Sequence, residues 1–498
     1  MSYLGIDLGT TYSLAALLND QGKPVLVPDF HDANVFRTPS VVYIGEHGCL
    51  VGDVAEALLE EQPSLSHARC FKLDMATEGA GYSDHQQRRW WPQSLSALVL
   101  KKLLQDVAAF VPEAIEGALI TVPASFTEPQ RNATKEAAQL AGIAPVKLIE
   151  EPIAAATFYG INQTTEQTLF VYDLGGGTFD ATILQSGDQG LYVLATAGST
   201  KLGGAWLDQQ VVQLVQQQYT EQFGACDFDD GALQRMRRFA VDAKMSFSKP
   251  GKNRVQQTLL LMGQSLDMVL LRSQFEQLVA DIVAETVAIC QQCLQQASMD
   301  WDFIDVIMLT GGSSLLPLVA EQLQRQSGKA AAQLVCKQPH QAVAYGAAII
   351  AAQSFVDSSG KTVSSRCPYG LGIRLRSDDA APKVHQLIAA NSAVPVQAKA
   401  RFRSHRADQQ RLMIEVMQLP EGELPQSLGF FAFAIAAPRK GYVVEISLGY
   451  DLDGAVTVTA LGLDDKQQLR RVLQRHDGAL SAALQQQQQW LLELTVNG

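Results

Sequence analysis

The sequence predicts a multidomain α/β plus all-β protein. Strands alternate with helices over residues 1–355, and short strands separated by turns follow from Pro368 to about Asp464. Within the first region an apolar-Asp-Leu-Gly pattern occurs twice. The first copy is Gly5-Ile6-Asp7-Leu8-Gly9-Thr10-Thr11-Tyr12, and the second is Val171-Tyr172-Asp173-Leu174-Gly175-Gly176-Gly177-Thr178-Phe179-Asp180. Each lies between two apolar segments of strand length, so each reads as a β-hairpin with a Gly-rich turn. The texture changes after Phe355, where Asp357-Ser358-Ser359-Gly360-Lys361 reads as a polar linker.

Further elements follow in order. A strand over Gly117–Val122 leads through Pro123-Ala124-Ser125-Phe126 into a helix from about Glu128 to Ala141. Leu202-Gly203-Gly204 is another Gly turn before a helix. A helical pattern spans about Phe275–Gln296 and contains Cys290 and Cys293, whose spacing without a second Cys or His pair reads as core thiols. The strand Asp305–Leu309 ends in Thr310-Gly311-Gly312-Ser313-Ser314 before a further helix, and an Ala-rich helix covers about Gln341–Gln353. In the all-β region the strands read as Leu387–Ala389, Lys399–Phe402, Leu412–Gln418, Phe430–Ile435, Val443–Tyr450 and Ala455–Leu461. A short helix over about Ala479–Glu493 ends the chain, its Gln485–Gln489 tract reading as a solvated face.

Composition excludes several classes. A net charge of −12 and a pI near 5.2 argue against nucleic acid or an anionic membrane as partner. No stretch approaches the roughly 18 apolar residues of a membrane span. The N-terminus enters a strand at once, with no signal-peptide run, so the expectation is a cytoplasmic protein. Seven scattered cysteines suggest no disulfide framework.

The paired turns carry chemistry. Glycine lets backbone N–H groups approach a phosphate closely. An Asp at the end of the incoming strand is placed to hold Mg²⁺, mostly through water. Gly311-Gly312 adds a helix N-terminus with free N–H groups. Two such hairpins facing each other would clamp a triphosphate between two halves.

At these residues the chain resembles the DnaK-type heat-shock chaperones, the heat shock protein 70 family. Gly5–Ser13 resembles the family's first signature, Asp173–Asp180 its second and Met308–Pro317 a looser third. Ile120–Phe126, Gln130-Arg131, Glu150–Ala156, Ala342–Ala348, Cys367–Ile373 and Leu387–Asn391 extend the likeness in collinear order. The resemblance implies an actin-like (ribonuclease H-like) two-lobed ATPase domain over 1–355 and a linker over 356–367. A β-sandwich peptide-binding-like domain over 368–465 and a short helical tail over 466–498, without a full lid, would follow. It implies slow ATP hydrolysis with Mg²⁺. Lys72, Glu151, Asp173 and Thr178 would act in catalysis, and Asp7, Asp173 and Asp180 would hold the metal. Nucleotide contacts would come from Asp7, Gly9, Thr10, Thr11, Tyr12, Gly175, Gly176, Gly177 and Thr178 on the phosphate side. Gly203, Gly204, Lys244, Ser248, Gly311, Gly312 and Ser313 would complete them. Pro123 and Arg131 would relay nucleotide state. Ile373, Phe402, Leu412 and Ile414 would line a peptide pocket. Partners would be extended polypeptide clients, with a J-domain co-chaperone and a nucleotide-exchange factor.

The chain also departs from the family. Met245 and Leu315 stand where the family brackets adenine with two arginines, which removes a charge–π contribution of roughly 0.5–2 kcal/mol each. Val241 and His340 stand where acidic residues are expected, and a lone His there reads as a surface residue. Arg376 and His405 replace the residues that arch over a bound peptide. The linker, Lys361-Thr362-Val363-Ser364-Ser365-Arg366, lacks the family's leucine run, and Arg366 would resist burial without a partner. Two rival readings are a small-molecule kinase on the same fold and a non-hydrolysing nucleotide-dependent scaffold. The all-β C-terminal region opposes the first, and Asp7, Lys72, Glu151 and Asp173 oppose the second.

Overall fold

A computed structural model describes residues 2–46, 48–77, 79–160, 166–187, 190–356, 366–367, 369–375, 383–404, 406–420, 424–451, 455–473 and 482–498. The linker stretch 357–365, Arg376 and His405 lie outside the described residues.

Each apolar-Asp-Leu-Gly pattern is the turn of a hairpin. Strand Ser2–Asp7 pairs antiparallel with Tyr12–Leu18, with Asp7 opposite Leu14. Strand Gln167–Leu174 pairs antiparallel with Phe179–Gly187, with Asp173 opposite Asp180. Each hairpin sits in a sheet of the same design. In the first, the order is Val146–Glu150, Ile115–Val122, Ser2–Asp7, Tyr12–Leu18 and Pro24–Leu26. In the second it is Leu334–Val335, Val306–Thr310, Gln167–Leu174, Phe179–Gly187 and Gly190–Ser199. In both, two parallel strands join a three-stranded antiparallel meander. The sheets define lobe I and lobe II, with separate apolar cores.

Helices fill the crossovers, and their ends are written in the sequence. Thr127 and Gln130 form a reciprocal capping box at the start of Glu128–Ala141, and Gly142 ends that helix in a left-handed conformation. Helix Glu151–Phe158 begins directly after strand Val146–Glu150, with Pro152 in its first turn, and so fixes Glu151 at a strand end. Both cysteines of the Cys290–Cys293 pair are buried in lobe II's core, on helix Arg272–Gln296.

A third core joins the lobes. Ile153–Ala156 from lobe I meet Leu169, Val171 and Met308 from lobe II, with Ala342, Val343, Ala347 and Ala351 of helix Ala342–Val356 between them. This helix lies so close that a Cβ on Gly346 would collide with the carbonyl of Ala154, and one on Gly5 with the backbone of Ala348.

Beyond the linker, two four-stranded antiparallel sheets share one apolar core. One orders Val384–Ile388, Gly370–Leu375, Arg411–Leu419 and Gln426–Ala434; the other Val396–Arg403, Val443–Tyr450, Val456–Gly462 and Gln468–Leu473. Strand Gln468–Leu473 corrects the sequence reading, in which residues 466–498 form only a helical tail. Its two arginines occupy an edge strand, which tolerates charge on its exposed positions.

The chain does not end on this domain. Helix Ala482–Glu493 and strand Val496–Asn497 return to lobe I, where Leu484, Leu491 and Val496 join the core. Gln487, expected on a solvated face, is buried there.

Filling the close contact at Gly346 should unseat the helix between the lobes. Gly346→Ala is expected to cost about 1–3 kcal/mol by overpacking, measured by urea unfolding, whereas Gly231→Ala, in the first turn of helix Asp230–Phe247 with no atom nearer than 3.5 Å to the added Cβ, should cost less.

Candidate functional site

The two hairpin turns face each other across a cleft of about 520 Å³, a size suited to a nucleotide. Their contact is direct: a Cβ on Gly176 would strike the Thr11 hydroxyl, so the two lobes close on each other only with glycine there. The first turn is braced from below. Ser40 Oγ donates to the Gly9 carbonyl at 2.8 Å, and Gly9 N–H donates to Ser13 Oγ at 3.2 Å. Gly311 holds a left-handed φ of 80°, and its missing side chain admits the Leu174 carbonyl, packing the third Gly turn under the second.

Most expected nucleotide contacts line this cleft. Asp7, Gly9, Thr10, Thr11 and Tyr12 come from the first hairpin, and Asp173, Gly175, Gly176 and Thr178 from the second. Lys72, Glu151, Lys244, Ser248, Gly311, Gly312 and Ser313 complete the wall. Gly177, Gly203 and Gly204 sit behind it, where Gly204 N–H donates to the Gly175 carbonyl at 2.9 Å and fixes the second turn. Asp180 also lies behind the lining and accepts from Ser125 N–H at 2.8 Å. Lys244 Nζ is held by Asp208 at 2.6 Å and by the Gly204 carbonyl at 3.0 Å.

The floor is crowded with acid. Lys72 Nζ donates to Glu151 Oε1 at 2.7 Å, and both groups are buried. Burial, reinforced by the Glu151 charge, pushes the Asp7 carboxyl up to about 7. Burial and Glu151 push Asp180 up to about 7 as well. Asp173 is also raised well above its ordinary range, by burial first and then by Glu151, Asp180 and Asp7. Carboxylates held this far from their ordinary range suit a divalent cation, whose charge would restore their ionised form. Among the described residues no three acidic, His or Cys side chains converge as direct ligands. Of the three carboxylates expected to hold Mg²⁺, Asp7 and Asp173 line the cleft and Asp180 lies behind it.

At the base end the lining residues differ from the sequence expectation. Val241 and Met245 line the cleft beside Lys244, while Leu315 does not. His340 is exposed, as expected of a surface residue, and lies at the edge of the lining with its ring against Gly312. Arg37 was not anticipated. Strand Thr38–Pro39 pairs with Tyr12–Ser13, which lays the Arg37 guanidinium 4.3 Å from the Tyr12 ring centre at the cleft mouth. The signal was the proximity of Arg37 to the Thr38-Pro39-Ser40 turn, which only the pairing register turns into a cleft position.

The expected relay residues lie between the cleft and the β domain. Pro123 is buried, and Arg131 donates to Glu150 Oε1 at 3.1 Å. Tyr450, Glu128 and Tyr369 are its other electrostatic neighbours, and Tyr369 Oη donates to the Ser125 carbonyl. Of the expected peptide contacts, Ile373, Leu412 and Ile414 are buried in the sandwich core, while Phe402 is partly exposed and packs edge-on to His385.

Residues 65–489 match the Hsp70 protein family. The chain belongs to the Hsp70 family. Hsp70 proteins generally are ATPases that bind ATP or ADP with Mg²⁺, polypeptide clients and co-chaperones. No helix among the described residues is long and apolar enough to cross a membrane.

The raised carboxyls set a pH dependence. In the folded protein Asp7 and Asp180 keep their protons to about pH 7, whereas in the unfolded chain they lose them near pH 4. Their contribution to stability is full below pH 4 and is lost as pH rises to 7. Asp180→Asn should therefore gain stability relative to the parent across pH 4–7 in nucleotide-free protein, read as the difference in urea midpoint. A difference that stays flat across that range would contradict the protonated state of Asp180.

Proposed function

We propose that this Hsp70 protein is a slow ATPase that binds extended polypeptide segments and couples the two events weakly. The observation that carries the first part is the pairing of two Gly-rich hairpins from opposite lobes over a floor holding Lys72, Glu151, Asp7 and Asp173. The twice-repeated sheet order supports the actin-like reading.

In this reading the backbone N–H groups of both turns, with Thr10, Thr11 and Thr178, donate to phosphate oxygens. Asp7, Asp173 and Asp180 would hold Mg²⁺, which would supply positive charge beside the phosphates. Lys72 presents its ammonium to the γ-phosphoryl oxygens, whose charge it holds while the electron pair of the breaking bond passes to the ADP oxygen. Glu151 holds that ammonium in place and would help orient the metal's water shell, while the attacking water's proton passes to the oxygens of the released phosphate. Val241 and Met245 offer the adenine dispersion contacts without the charge of a bracketing arginine.

The β domain would receive a polypeptide. Ile373, Leu412 and Ile414 are buried in this closed sandwich, so a peptide would reach them only as the strands part around Phe402. Client identity, a J-domain partner and an exchange factor follow from family membership alone.

Lys72→Ala should abolish single-turnover hydrolysis while calorimetry still detects ATP binding. Parent-like hydrolysis in this variant would remove Lys72 from the reaction and favour the scaffold reading. Weak coupling is read separately. Peptide affinity should differ less than about tenfold between ATP and ADP, under roughly 1.4 kcal/mol, by fluorescence anisotropy. A hundredfold difference would mean that the domains are strongly linked.

A further inference from the structure

The β domain is attached to the ATPase lobes at both of its ends. On entry, the half-buried Arg366 donates to the Val193 carbonyl of lobe II and to the Asn391 carbonyl of the β domain. Asn391 then seats on lobe II, accepting from Thr196 N–H at 3.2 Å and donating to Gln296 Oε1 at 2.8 Å. Val193 and Thr196 belong to the outermost strand of the lobe II sheet, so these contacts satisfy part of an open edge.

On exit, the chain crosses to lobe I. Strand Val496–Asn497 adds in parallel to Gly48–Val51, and Cys49 N–H donates to the Thr495 carbonyl at 3.0 Å. Helix Ala482–Glu493 lies on helix Pro92–Phe110, with Trp490 5.6 Å from Trp90 between ring centres. Gln487 closes the seam: its amide donates to the Arg89 carbonyl at 2.8 Å and accepts from Trp91 N–H at 3.3 Å. Lys101 Nζ donates to the Leu491 carbonyl at 3.0 Å, and Gln105 to the Val496 carbonyl at 3.2 Å. A solvated, detached tail would bury neither Leu491 nor Val496 and would leave the Gly48–Val51 edge open.

We propose that residues 482–498 dock on lobe I as a second anchor, holding the β domain against the ATPase domain with ADP, with ATP and without nucleotide. The occupant of this lobe I surface is the chain's own C-terminal helix and strand. A domain tethered at one end samples detached positions whenever its interface weakens. Tethering at both ends raises the local concentration of the interface and suppresses detachment. The polar linker has little apolar surface with which to do this alone. The nucleotide dependence rests on the function proposed above, while the anchoring itself does not.

The test uses full-length protein with a specific protease site inserted after Arg475, cut after folding. Before cutting, hydrogen exchange at Thr196 should be the same within about twofold in nucleotide-free, ADP and ATP samples. After cutting, residues 482–498 should remain bound on gel filtration, and Thr196 should exchange about tenfold faster. Unchanged Thr196 exchange after cutting would overturn the anchor, as would loss of the cut fragment from the folded protein. A second variant, Gln487→Ala, keeps the chain covalently intact and should release the C-terminal helix, read as increased exchange over residues 484–493; parent-like exchange there would also count against docking. The nucleotide-free arm keeps this test valid if ATP binding itself fails.

Discussion

The charge balance on the cleft floor is the constraint on which the site depends. Asp7, Asp173 and Glu151 meet there with Asp180 directly behind them, and Lys72 is the only cation in ion-pair contact with any of the four among the described residues. Burial first, and then the mutual repulsion of carboxylates that one ammonium cannot neutralise, raises Asp7, Asp173 and Asp180 well above their ordinary range. A site left in this state favours whatever brings positive charge into it. The same crowding explains the rigid supports: the Ser125 N–H on Asp180, the Thr121 hydroxyl on Asp7, and the Pro152-led helix that fixes Glu151. Each limits how far a carboxylate can turn away from its neighbours.

The second constraint is geometric. The two lobes meet over the cleft only because Gly176 leaves room for Thr11, and they stay joined behind it because Gly5 and Gly346 let helix Ala342–Val356 approach the backbone. Side chains at those points would separate the halves that face the phosphates. The cleft is thus held from both sides by absent side chains, while the acid floor between them supplies the demand for a charged ligand.

Much of this was legible in the sequence, for local reasons. An Asp-Leu-Gly turn between two apolar runs specifies a hairpin without help from elsewhere in the chain, and the register places Asp173 opposite Asp180 as the pattern requires. The helix start at Glu128, capped by Thr127, was equally local. What was not legible depends on distant partners. His340 reaches the edge of the cleft because Gly312 leaves space for its ring, and Arg37 does so through the pairing of Thr38 with Ser13. Gln487 was read as solvated because glutamine repeats carry no apolar face, yet the Arg89 carbonyl and Trp91 N–H satisfy its amide.

Arg366 shows how the same limit bears on the link between domains. Judged alone, an arginine in a polar linker has no reason to be buried. In the fold it finds two carbonyls, one on the lobe II edge strand and one on the β domain. Its seam is polar, directional and small, so it fixes the orientation of the β domain more than it contributes hydrophobic stabilisation. The apolar burial lies at the other end of that domain, in Leu484, Trp490, Leu491 and Val496 against lobe I. Orientation and attachment are therefore divided between two lobes that meet at the nucleotide cleft. A rotation of one lobe against the other must move one seam relative to the other, and the β domain lies between them.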